Sequence, residues 1–260
     1  MRESAIAIAR AAGAVLRDGL SRERTIERKS ASVDLVTDID LASERVILAG
    51  LREQFPGHRV VAEESGDDAR ESEYCWVIDP LDGTTNYAHG YPAFCVSMGL
   101  LVDGQPSFGV VYDPIRDECF VAERGRGAYL NERPLRVSAT ASLGEALLST
   151  GFPYSKRTNP DNNIAEMSRI VLEIQGVRRS GSAALDLCYV AAGRSDGHWE
   201  LGLAPWDTAA GAVLVSEAGG ALSTWGGAAW QPWIPKLVAT NGSIHAELLA
   251  LLVPRNPAEQ

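Results

Sequence analysis

The sequence contains few cysteines and fewer basic than acidic residues, and each shortage narrows the classes of protein that it can encode. The four cysteines form no C-x-x-C pair and lie in apolar stretches, so we expect buried free thiols in a reducing compartment, with neither a disulfide framework nor a zinc site. Lys and Arg number 24 against 34 Asp and Glu, which gives a net charge of −10. Because this charge repels a phosphate backbone, we expect no nucleic-acid partner.

Long hydrophobic runs and internal repeats are also missing. The apolar stretch near the start is interrupted by Arg10, and no sustained hydrophobic segment follows it. We therefore expect neither a signal peptide nor a membrane span, and we expect a cytoplasmic location. No segment is long and flexible enough to serve as a linker between independent domains. The four histidines show no metal-ligand spacing, and they are assigned no role.

The chain does contain enough apolar sequence for a sizeable core, since 45% of its 260 residues are hydrophobic. In the first half, the spacing of apolar residues predicts helices over residues 4–19 and 38–55. Short apolar runs separated by turn residues then predict a largely antiparallel sheet. Its strands are expected at residues 60–62, 75–78, 94–101, 107–112, 118–123 and 128–130.

Beyond residue 138, predicted strands and helices alternate, which favours βαβ units. Strands are expected at residues 146–149, around 177 and at 198–201. Helices are expected where Ile164, Met167, Val171 and Ile174 recur at helical spacing, and over residues 183–192, 207–218 and 244–252. We therefore expect an α/β (α+β) protein, with an antiparallel half over residues 1–137 and a more parallel half over residues 138–260, packed as one compact unit.

Polar side chains follow directly after one of the predicted strands. In residues 76–86 the sequence WVIDPLDGTTN runs from an apolar strand into Asp79, Asp82 and two threonines. The two carboxylates, together with the carbonyl of Leu81, are the hard oxygen ligands that Mg²⁺ prefers. Gly83 allows the backbone to approach a ligand closely, and its amide and that of Thr84 would face a phosphate if they begin a helix. An ordinary turn explains the same residue types equally well.

Further acids occur in two other segments. Glu63 and Glu64 follow a predicted strand, where a carboxylate could reach the same site, although acids at such a place are usually only solvated. Asp207 lies where a helix is expected to begin, and an N-cap is the simpler interpretation of that aspartate. Thr37 and Asp40 resemble a capping box at the start of the second helix.

Taken together, these segments resemble the inositol monophosphatase family over nearly the whole chain. The family's first signature matches residues 79–86 without a gap, and residues 206–207 with 217–220 resemble its second signature. Further matches lie at Lys29, at residues 33–37 and at residues 179–184. The resemblance implies a layered αβαβα sandwich.

The resemblance also implies a metal centre with two or three Mg²⁺ ions. Glu63, Asp79 and the Leu81 carbonyl would bind one ion, and Asp79, Asp82 and Asp207 would bind a second. Two such ions suit in-line displacement by water at phosphorus. Thr84, paired with Asp40, would orient and deprotonate the attacking water. Lys29, Asp34 and Glu64 would lie behind the ligands and tune the site, although a solvated loop explains Lys29 and Asp34 as well.

For the rest of the substrate, the resemblance implies a polyol held by hydrogen bonds, because a carboxylate such as that of Glu200 accepts hydroxyl groups. The substrate-binding residues in this interpretation are Asp82, Gly83, Thr84, Thr85, Arg178, Ala183, Glu200 and Asp207. For Arg178, and for Arg179 beside it, contact with a partner subunit or a solvated strand end is equally plausible. A homodimer and inhibition by lithium are further implications of the family.

The expected reaction is hydrolysis of myo-inositol 1-phosphate or a similar polyol phosphate. Related proteins hydrolyse fructose 1,6-bisphosphate, histidinol phosphate or 3′-phosphoadenosine nucleotides, and one sequence does not separate these substrates. A regulatory binding protein with the same fold is the alternative of a different class. Such a protein would be expected to have lost at least one of Glu63, Asp79, Asp82, Thr84 and Asp207, and this chain retains all of them.

Overall fold

A computed structural model describes residues 1–21, 26–28 and 35–253 of the chain. Lys29 and Asp34, which the resemblance assigns to positions behind the metal ligands, lie outside these residues. Among the described residues, no helix combines the length and the apolar character that a bilayer crossing requires. All four cysteines are free, and Cys75 alone among them is partly exposed.

Seven α-helices are present in the described part of the chain, and the first two begin and end close to where the sequence predicts. Helix α2 begins at a capping box, because the backbone N–H of Thr37 donates to Asp40 Oδ2 at 2.9 Å while the Thr37 hydroxyl accepts from the backbone of residues 39 and 40. The helices are α1 (Arg2–Gly19), α2 (Asp38–Gln54), α3 (Thr84–Ala88), α4 (Ile164–Ile170), α5 (Ala183–Ala191), α6 (Pro205–Glu217) and α7 (His245–Leu252).

The larger sheet has eight strands and is antiparallel except at one pair. Its strands are β3 (Arg59–Ala62), β4 (Gly66–Asp67), β5 (Tyr74–Asp82), β6 (Cys95–Val102), β7 (Gln105–Asp113), β8 (Glu118–Glu123), β9 (Gly127–Leu130) and β10 (Arg133–Pro134), and they follow a separate antiparallel pair, β1 (Ile26–Arg28) and β2 (Leu35–Thr37). The strand order is β10-β9-β8-β7-β6-β5-β3-β4, and β3 runs parallel to β5.

The smaller sheet has five strands in the order β12-β11-β13-β15-β14. Strand β11 is parallel to both β12 and β13, whereas β15 is antiparallel to β13 and β14, so this sheet is the more parallel of the two. Its strands are β11 (Leu147–Thr150), β12 (Gly176–Arg178), β13 (Gly197–Leu201), β14 (Ala221–Ser223) and β15 (Lys236–Thr240). The proposed boundary at residues 137 and 138 falls between the last strand of the larger sheet and the first strand of this one.

The elements stack in five layers, which confirms the expected αβαβα architecture. Helices α1 and α2 cover one face of the larger sheet over a core that includes Leu16, Ile47 and Trp76. Helices α5 and α6 lie between the two sheets, and α4 and α7 form the last layer against the smaller sheet. Each sheet is therefore buried between helices, and the middle helices belong to both interfaces.

The middle helix α6 packs unusually close to the larger sheet. A Cβ atom on Gly109 of β7 would lie 2.5 Å from the carbonyl oxygen of Ala210, and one on Gly99 of β6 would lie 2.7 Å from the Cβ of Ala209. Glycines on the strands and alanines on the helix thus allow a close approach. This approach holds the first turn of α6, with Asp207, against the end of β5.

One predicted helix is shorter than its apolar spacing suggests. The pattern of Ile164, Met167, Val171 and Ile174 predicts a helix to residue 174, but α4 ends at Ile170. The chain leaves the helix in a turn in which the N–H of Glu173 donates to the carbonyl of Ile170. Ile174 still packs against the core cluster that includes Ile170, whereas Val171 is exposed.

Candidate active site

The site is formed where β5 leaves its regular pairing. Strand β5 pairs with β6 as far as Asp79, and the register then shifts before Asp82 pairs with Cys95. This irregularity separates the two aspartates from the regular sheet and turns both toward one cavity. The parallel neighbour β3 ends at Ala62, so Glu63 follows beside the same end of β5, where its N–H donates to the carbonyl of Ile78 at 3.2 Å.

Three aspartates converge at this place. One carboxylate oxygen from each of Asp79, Asp82 and Asp207 lies within 4.8 Å of the other two. Asp79 and Asp82 come from the end of β5, and Asp207 comes from the first turn of α6, 125 residues further along the chain. The structure therefore brings together three of the predicted ligands from two elements that are distant in sequence.

Each aspartate is oriented by a separate set of donors. Asp79 Oδ1 accepts the N–H of Leu81 at 2.9 Å, and Asp207 Oδ2 accepts the N–H of Ala204 at 2.7 Å in the cap of α6. Asp82 Oδ2 accepts the hydroxyl of Ser182 at 2.6 Å and the N–H of Ala184 at 2.7 Å. Each carboxylate keeps at least one further oxygen that these bonds do not use.

Burial and mutual repulsion raise the pKa of all three aspartates. Burial followed by the charge of Glu63 raises the pKa of Asp79 well above its usual value, and burial followed by the charge of Asp82 does the same for Asp207. Burial raises the pKa of Asp82 to about 6, although the hydrogen bonds from Ser182 and Ala184 oppose it. A cluster of this kind is stabilised by a bound cation, which offsets the repulsion.

The donor set fits a magnesium ion. The groups available are carboxylate oxygens and the carbonyl of Leu81. The thiol of Cys95 donates to Asp82 Oδ2 at 3.8 Å, but burial raises the pKa of this thiol well above its usual value, so it is not a thiolate ligand. Hard oxygen ligands of this type match Mg²⁺ rather than zinc or copper. Asp79, Asp82, Asp207 and Leu81 are the residues that would hold it, and Glu63 lines the same cavity.

A threonine hydroxyl links the aspartates to a buried acid behind them. Thr84 Oγ1 lies 3.2 Å from Asp40 Oδ1 and 3.1 Å from the carbonyl oxygen of Leu81. Burial raises the pKa of Asp40 to about 6, while hydrogen bonds from Thr37 oppose that rise. Asp40 thus serves both as part of the capping box of α2 and as the partner of Thr84, two roles that the sequence left open.

The cavity has a volume of about 850 Å³, and most of the residues proposed for the site line it. Gly83 begins helix α3 with a left-handed φ of 101°, and a Cβ there would lie 2.8 Å from the carbonyl oxygen of Ala93, so a glycine is required. The proposed residues that line the cavity are Glu63, Asp79, Leu81, Asp82, Gly83, Thr84, Thr85, Ala183, Glu200 and Asp207.

Among the proposed residues that the structure describes, three do not line the cavity. Asp40 lies behind Thr84, and the backbone N–H of Glu64 donates to Glu44 on α2 at 2.9 Å. Arg178 is the exposed last residue of β12, and its guanidinium donates to the carbonyl of Val177. Its neighbour Arg179 lines the cavity instead, because the chain leaves the strand after residue 178 and turns toward the site.

The cavity also contains residues to which the sequence analysis gave no role. Asp186, on the face of α5 that points to the site, lines the cavity, and so do Lys156 and Tyr91. His198 is fully buried behind Glu200 on β13. The sequence carries one signal for Asp186 and one for His198. Asp186 is an acid within the apolar run of α5. Residues 198 and 200 share one face of a strand because side chains alternate.

Comparison with known proteins agrees with this geometry. Residues 1–257 match the inositol monophosphatase family. The chain belongs to this family. It is therefore a phosphatase, as the sequence analysis predicted.

The relatives of this member of the inositol monophosphatase family carry two kinds of name. An inositol-1-monophosphatase from Synechocystis sp. is 48% identical over 92% of this chain and 83% of its own length. A Nus factor SuhB from Pseudomonas aeruginosa is 44% identical over 99% of this chain and 97% of its own length. The structure of an inositol monophosphatase from Anabaena (Nostoc) sp. PCC 7120 is 49% identical and has a TM-score of 0.89, covering 98% of this chain and 97% of that one.

Proposed function

We propose that this phosphatase is a Mg²⁺-dependent phosphomonoesterase that hydrolyses myo-inositol 1-phosphate or a closely similar polyol phosphate. The observation that carries the proposal is the convergence of Asp79, Asp82 and Asp207 within 4.8 Å beside Thr84 and its buried partner. Membership of the family and the names of two relatives support the reaction class. When bound, Mg²⁺ supplies positive charge that neutralises the phosphate and lowers the pKa of water.

The protein's own side chains supply positioning. Asp40 accepts the Thr84 proton in a hydrogen bond, so the lone pairs of Thr84 Oγ1 are available to accept a hydrogen bond from the attacking water. The left-handed turn at Gly83 directs the first amides of α3 toward the phosphate. Asp79 and Asp82 are buried, so a phosphate bound next to them would lie at the bottom of the cavity, away from bulk water.

The organic part of the substrate is proposed to lie against Ala183 and Glu200. Both line the cavity, and a carboxylate accepts two hydroxyl hydrogen bonds, which favours a polyol over an apolar alcohol. Lys156 and Arg179 line the same cavity, and their charges would contact a second phosphate group. Fructose 1,6-bisphosphate is therefore the second substrate to be compared with inositol 1-phosphate.

The test is phosphate release by the purified protein, with and without Mg²⁺, beside the variant Asp82→Asn. The substrates are inositol 1-phosphate, fructose 1,6-bisphosphate, histidinol phosphate and 3′-phosphoadenosine 5′-phosphate. We expect Mg²⁺-dependent turnover, fastest on inositol 1-phosphate. Asp82→Asn removes one negative charge from the cluster and is expected to reduce turnover by several orders of magnitude.

The matched control is Asp103→Asn, which makes the same chemical change at an exposed turn with a φ of 50°, a conformation that asparagine tolerates. This variant should retain wild-type turnover. Turnover that does not require Mg²⁺, or that survives in Asp82→Asn, would contradict the mechanism. A folded, Mg²⁺-supplied protein that hydrolyses none of the four esters would favour a binding role, which the name Nus factor of the Pseudomonas relative suggests for that protein.

Family membership also suggests an oligomeric state and an inhibitor. We propose a cytoplasmic homodimer, which sedimentation equilibrium would reveal as twice the chain mass of 27.9 kDa. We also propose inhibition by lithium, which the same phosphate-release assay measures when LiCl replaces NaCl at constant ionic strength. A monomer at working concentrations, or equal rates in the two salts, would contradict the respective proposal.

A further inference from the structure

The wall of the cavity also contains a second group of polar side chains, centred on Glu200. On β13, His198 and Glu200 share one face because side chains alternate along a strand. The Nε2 atom of His198 lies 3.4 Å from Oε2 of Glu200 and has no hydrogen-bond partner of normal geometry among the described residues. A fully buried imidazole nitrogen is thus directed at the carboxylate that faces the substrate.

The other side of the imidazole is fixed from two directions. His198 Nδ1 lies 3.0 Å from the hydroxyl of Ser149 on β11 and 3.8 Å from Oδ2 of Asp186 on α5. Burial alone would lower the pKa of His198, but the contact with Glu200 and the charge of Asp186 raise it above the usual value. The ring therefore cannot rotate freely, and its charged form is favoured next to Glu200.

A glycine completes the space for the carboxylate. A Cβ atom placed on Gly151 would overlap the carboxylate group of Glu200, so any larger residue there would displace that side chain. Gly151 follows β11 directly, and the register in which Thr150 pairs with Trp199 places it beside Glu200. Buried Asn163 fixes the position, since its amide donates to the carbonyl of Gly151 at 2.7 Å and its Oδ1 accepts the indole N–H of Trp199 at 2.8 Å.

We propose that His198 and Gly151 are positioning residues that hold the Glu200 carboxylate in the orientation needed to accept substrate hydroxyl groups, and that they thereby set the preference of the phosphatase for polyol esters. The inference rests on the proposed function, because it assigns a role within the same site. It goes beyond that function by locating the selectivity in residues that do not touch the phosphate. His198 acts through its Nε2 atom, and Gly151 acts by leaving space.

The test compares two variants of His198, each of which retains a polar atom at one of the two nitrogen positions of the imidazole. In His198→Gln the amide nitrogen can occupy the position of Nε2, whereas in His198→Asn the amide can replace only the Nδ1 contact with Ser149. The two substrates are inositol 1-phosphate and p-nitrophenyl phosphate, which carries no hydroxyl for Glu200 to accept. We expect His198→Asn to raise KM for inositol 1-phosphate about tenfold, because a Glu200 carboxylate that is no longer oriented accepts one charge-assisted hydrogen bond fewer from the substrate hydroxyls. Its kcat/KM for p-nitrophenyl phosphate should stay at the wild-type value, and His198→Gln should behave as wild type on both.

A second comparison separates positioning from stability. Gly151→Ala displaces Glu200 without removing it, so it should show the same selective loss as His198→Asn. Gly57→Ala is its control, since a Cβ atom there meets nothing within 4 Å. In a Glu200→Gln background, His198→Asn should add no further loss on inositol 1-phosphate, because the carboxylate that it positions is gone.

The outcomes are distinguishable. Equal loss on both substrates, an unchanged KM in His198→Asn, or additive losses in the Glu200→Gln background would each overturn the proposal. If Gly151→Ala does not fold, the two His198 variants decide the question on their own. Wild-type protein that hydrolyses p-nitrophenyl phosphate but no polyol ester would contradict the proposed function itself, and that result is obtained before any variant is made.

Discussion

At the scale of the residue, one hydroxyl connects the end of the cavity where the aspartates converge to a buried acid. Thr84 Oγ1 is within hydrogen-bond distance of Asp40 Oδ1 and of the Leu81 carbonyl oxygen, which is itself a proposed ligand. Because the Thr84 proton is shared between these two acceptors, its oxygen can accept a hydrogen bond from water. The side chain therefore has a function that its methyl group alone cannot supply.

Replacing Thr84 with valine should test this role at nearly constant volume. Thr84→Val keeps the shape and removes the hydroxyl, so we expect kcat on inositol 1-phosphate to fall by roughly 10²–10⁴-fold, the usual contribution of general-base assistance. Thr84→Ser keeps the hydroxyl and should lose no more than about tenfold. Steady-state kinetics at saturating Mg²⁺ give the comparison, and equal activity of the two variants would show that the hydroxyl takes no part.

The residues of the site differ in how readily the sequence reveals them. Asp79 and Asp82 can be predicted because they follow an apolar strand within four positions, whereas Asp207 is joined to them only by the resemblance and by tertiary folding. Arg178 and Arg179 show the limit of this approach. Arg178 is the exposed last residue of β12, whereas Arg179 follows it where the chain turns toward the site, so a difference of one position decides whether the side chain faces solvent or the cavity. His198 has no metal-ligand spacing, and its signal in the sequence is that it shares one face of a strand with Glu200.

At the scale of the element, α6 determines where Asp207 lies, and the sheet determines where α6 lies. Most strands and helices could be predicted because alternation and helical spacing are local properties. The distance between helix and sheet could not, since it depends on Gly99 and Gly109 lying opposite Ala209 and Ala210 in the folded chain. Helix α4 shows the converse, because apolar residues beyond Ile170 continue the pattern without continuing the helix.

Adding one methyl group at Gly109 should therefore affect both stability and catalysis. The new Cβ would lie 2.5 Å from the carbonyl oxygen of Ala210, which is backbone and cannot move without shifting the helix. We expect Gly109→Ala to destabilise the protein by about 1–3 kcal/mol and to lower its apparent affinity for Mg²⁺, because Asp207 moves with α6. Urea unfolding and Mg²⁺ titration of the phosphatase activity measure the two effects.

The control for this variant is Gly57→Ala, which adds the same methyl group where nothing lies within 4 Å. This variant should unfold at nearly the same urea concentration as wild type, and its activity should depend on Mg²⁺ as that of wild type does. If Gly109→Ala loses stability but retains the wild-type Mg²⁺ dependence, the helix does not transmit the displacement to Asp207. If it loses neither, the close approach of α6 to β7 does not constrain the fold.

At the scale of the whole molecule, the excess of acidic residues and the need to bind an anionic ester are in conflict. The chain carries a net charge of −10, and Glu63, Asp79, Asp82 and Asp207 all line the cavity that would receive the phosphate. Bound divalent cations would resolve the conflict locally, because they would convert this acidic cavity into one that attracts phosphate. The same acids make the metal-free protein sensitive to pH.

The pH dependence has a defined sign. Burial raises the pKa of Asp82 from 3.8 to about 6, so between these values the folded chain holds a proton that the unfolded chain has released. The contribution of this group to the stability of the metal-free protein is therefore greatest at low pH and falls as pH rises through about 6. Asp79 and Asp207, whose pKa values burial also raises, act in the same direction. Mg²⁺ binds only the ionised carboxylates, so its stabilisation has the opposite dependence.

The increase in Tm caused by a fixed concentration of Mg²⁺ should thus be small at pH 5 and should grow to several degrees at pH 7.5. Samples with and without Mg²⁺ are compared at each pH, which removes the effect of exposed carboxyl groups that do not contact the metal. Asp67 is one such group, and its contact with Arg59 lowers its pKa to about 2. Differential scanning calorimetry of wild type, Asp82→Asn and Asp103→Asn provides the measurement. Asp82→Asn should lose most of the Mg²⁺ effect, and Asp103→Asn should keep it. A Tm increase that is the same at both pH values would mean that the ion stabilises the fold at a site other than these buried carboxylates.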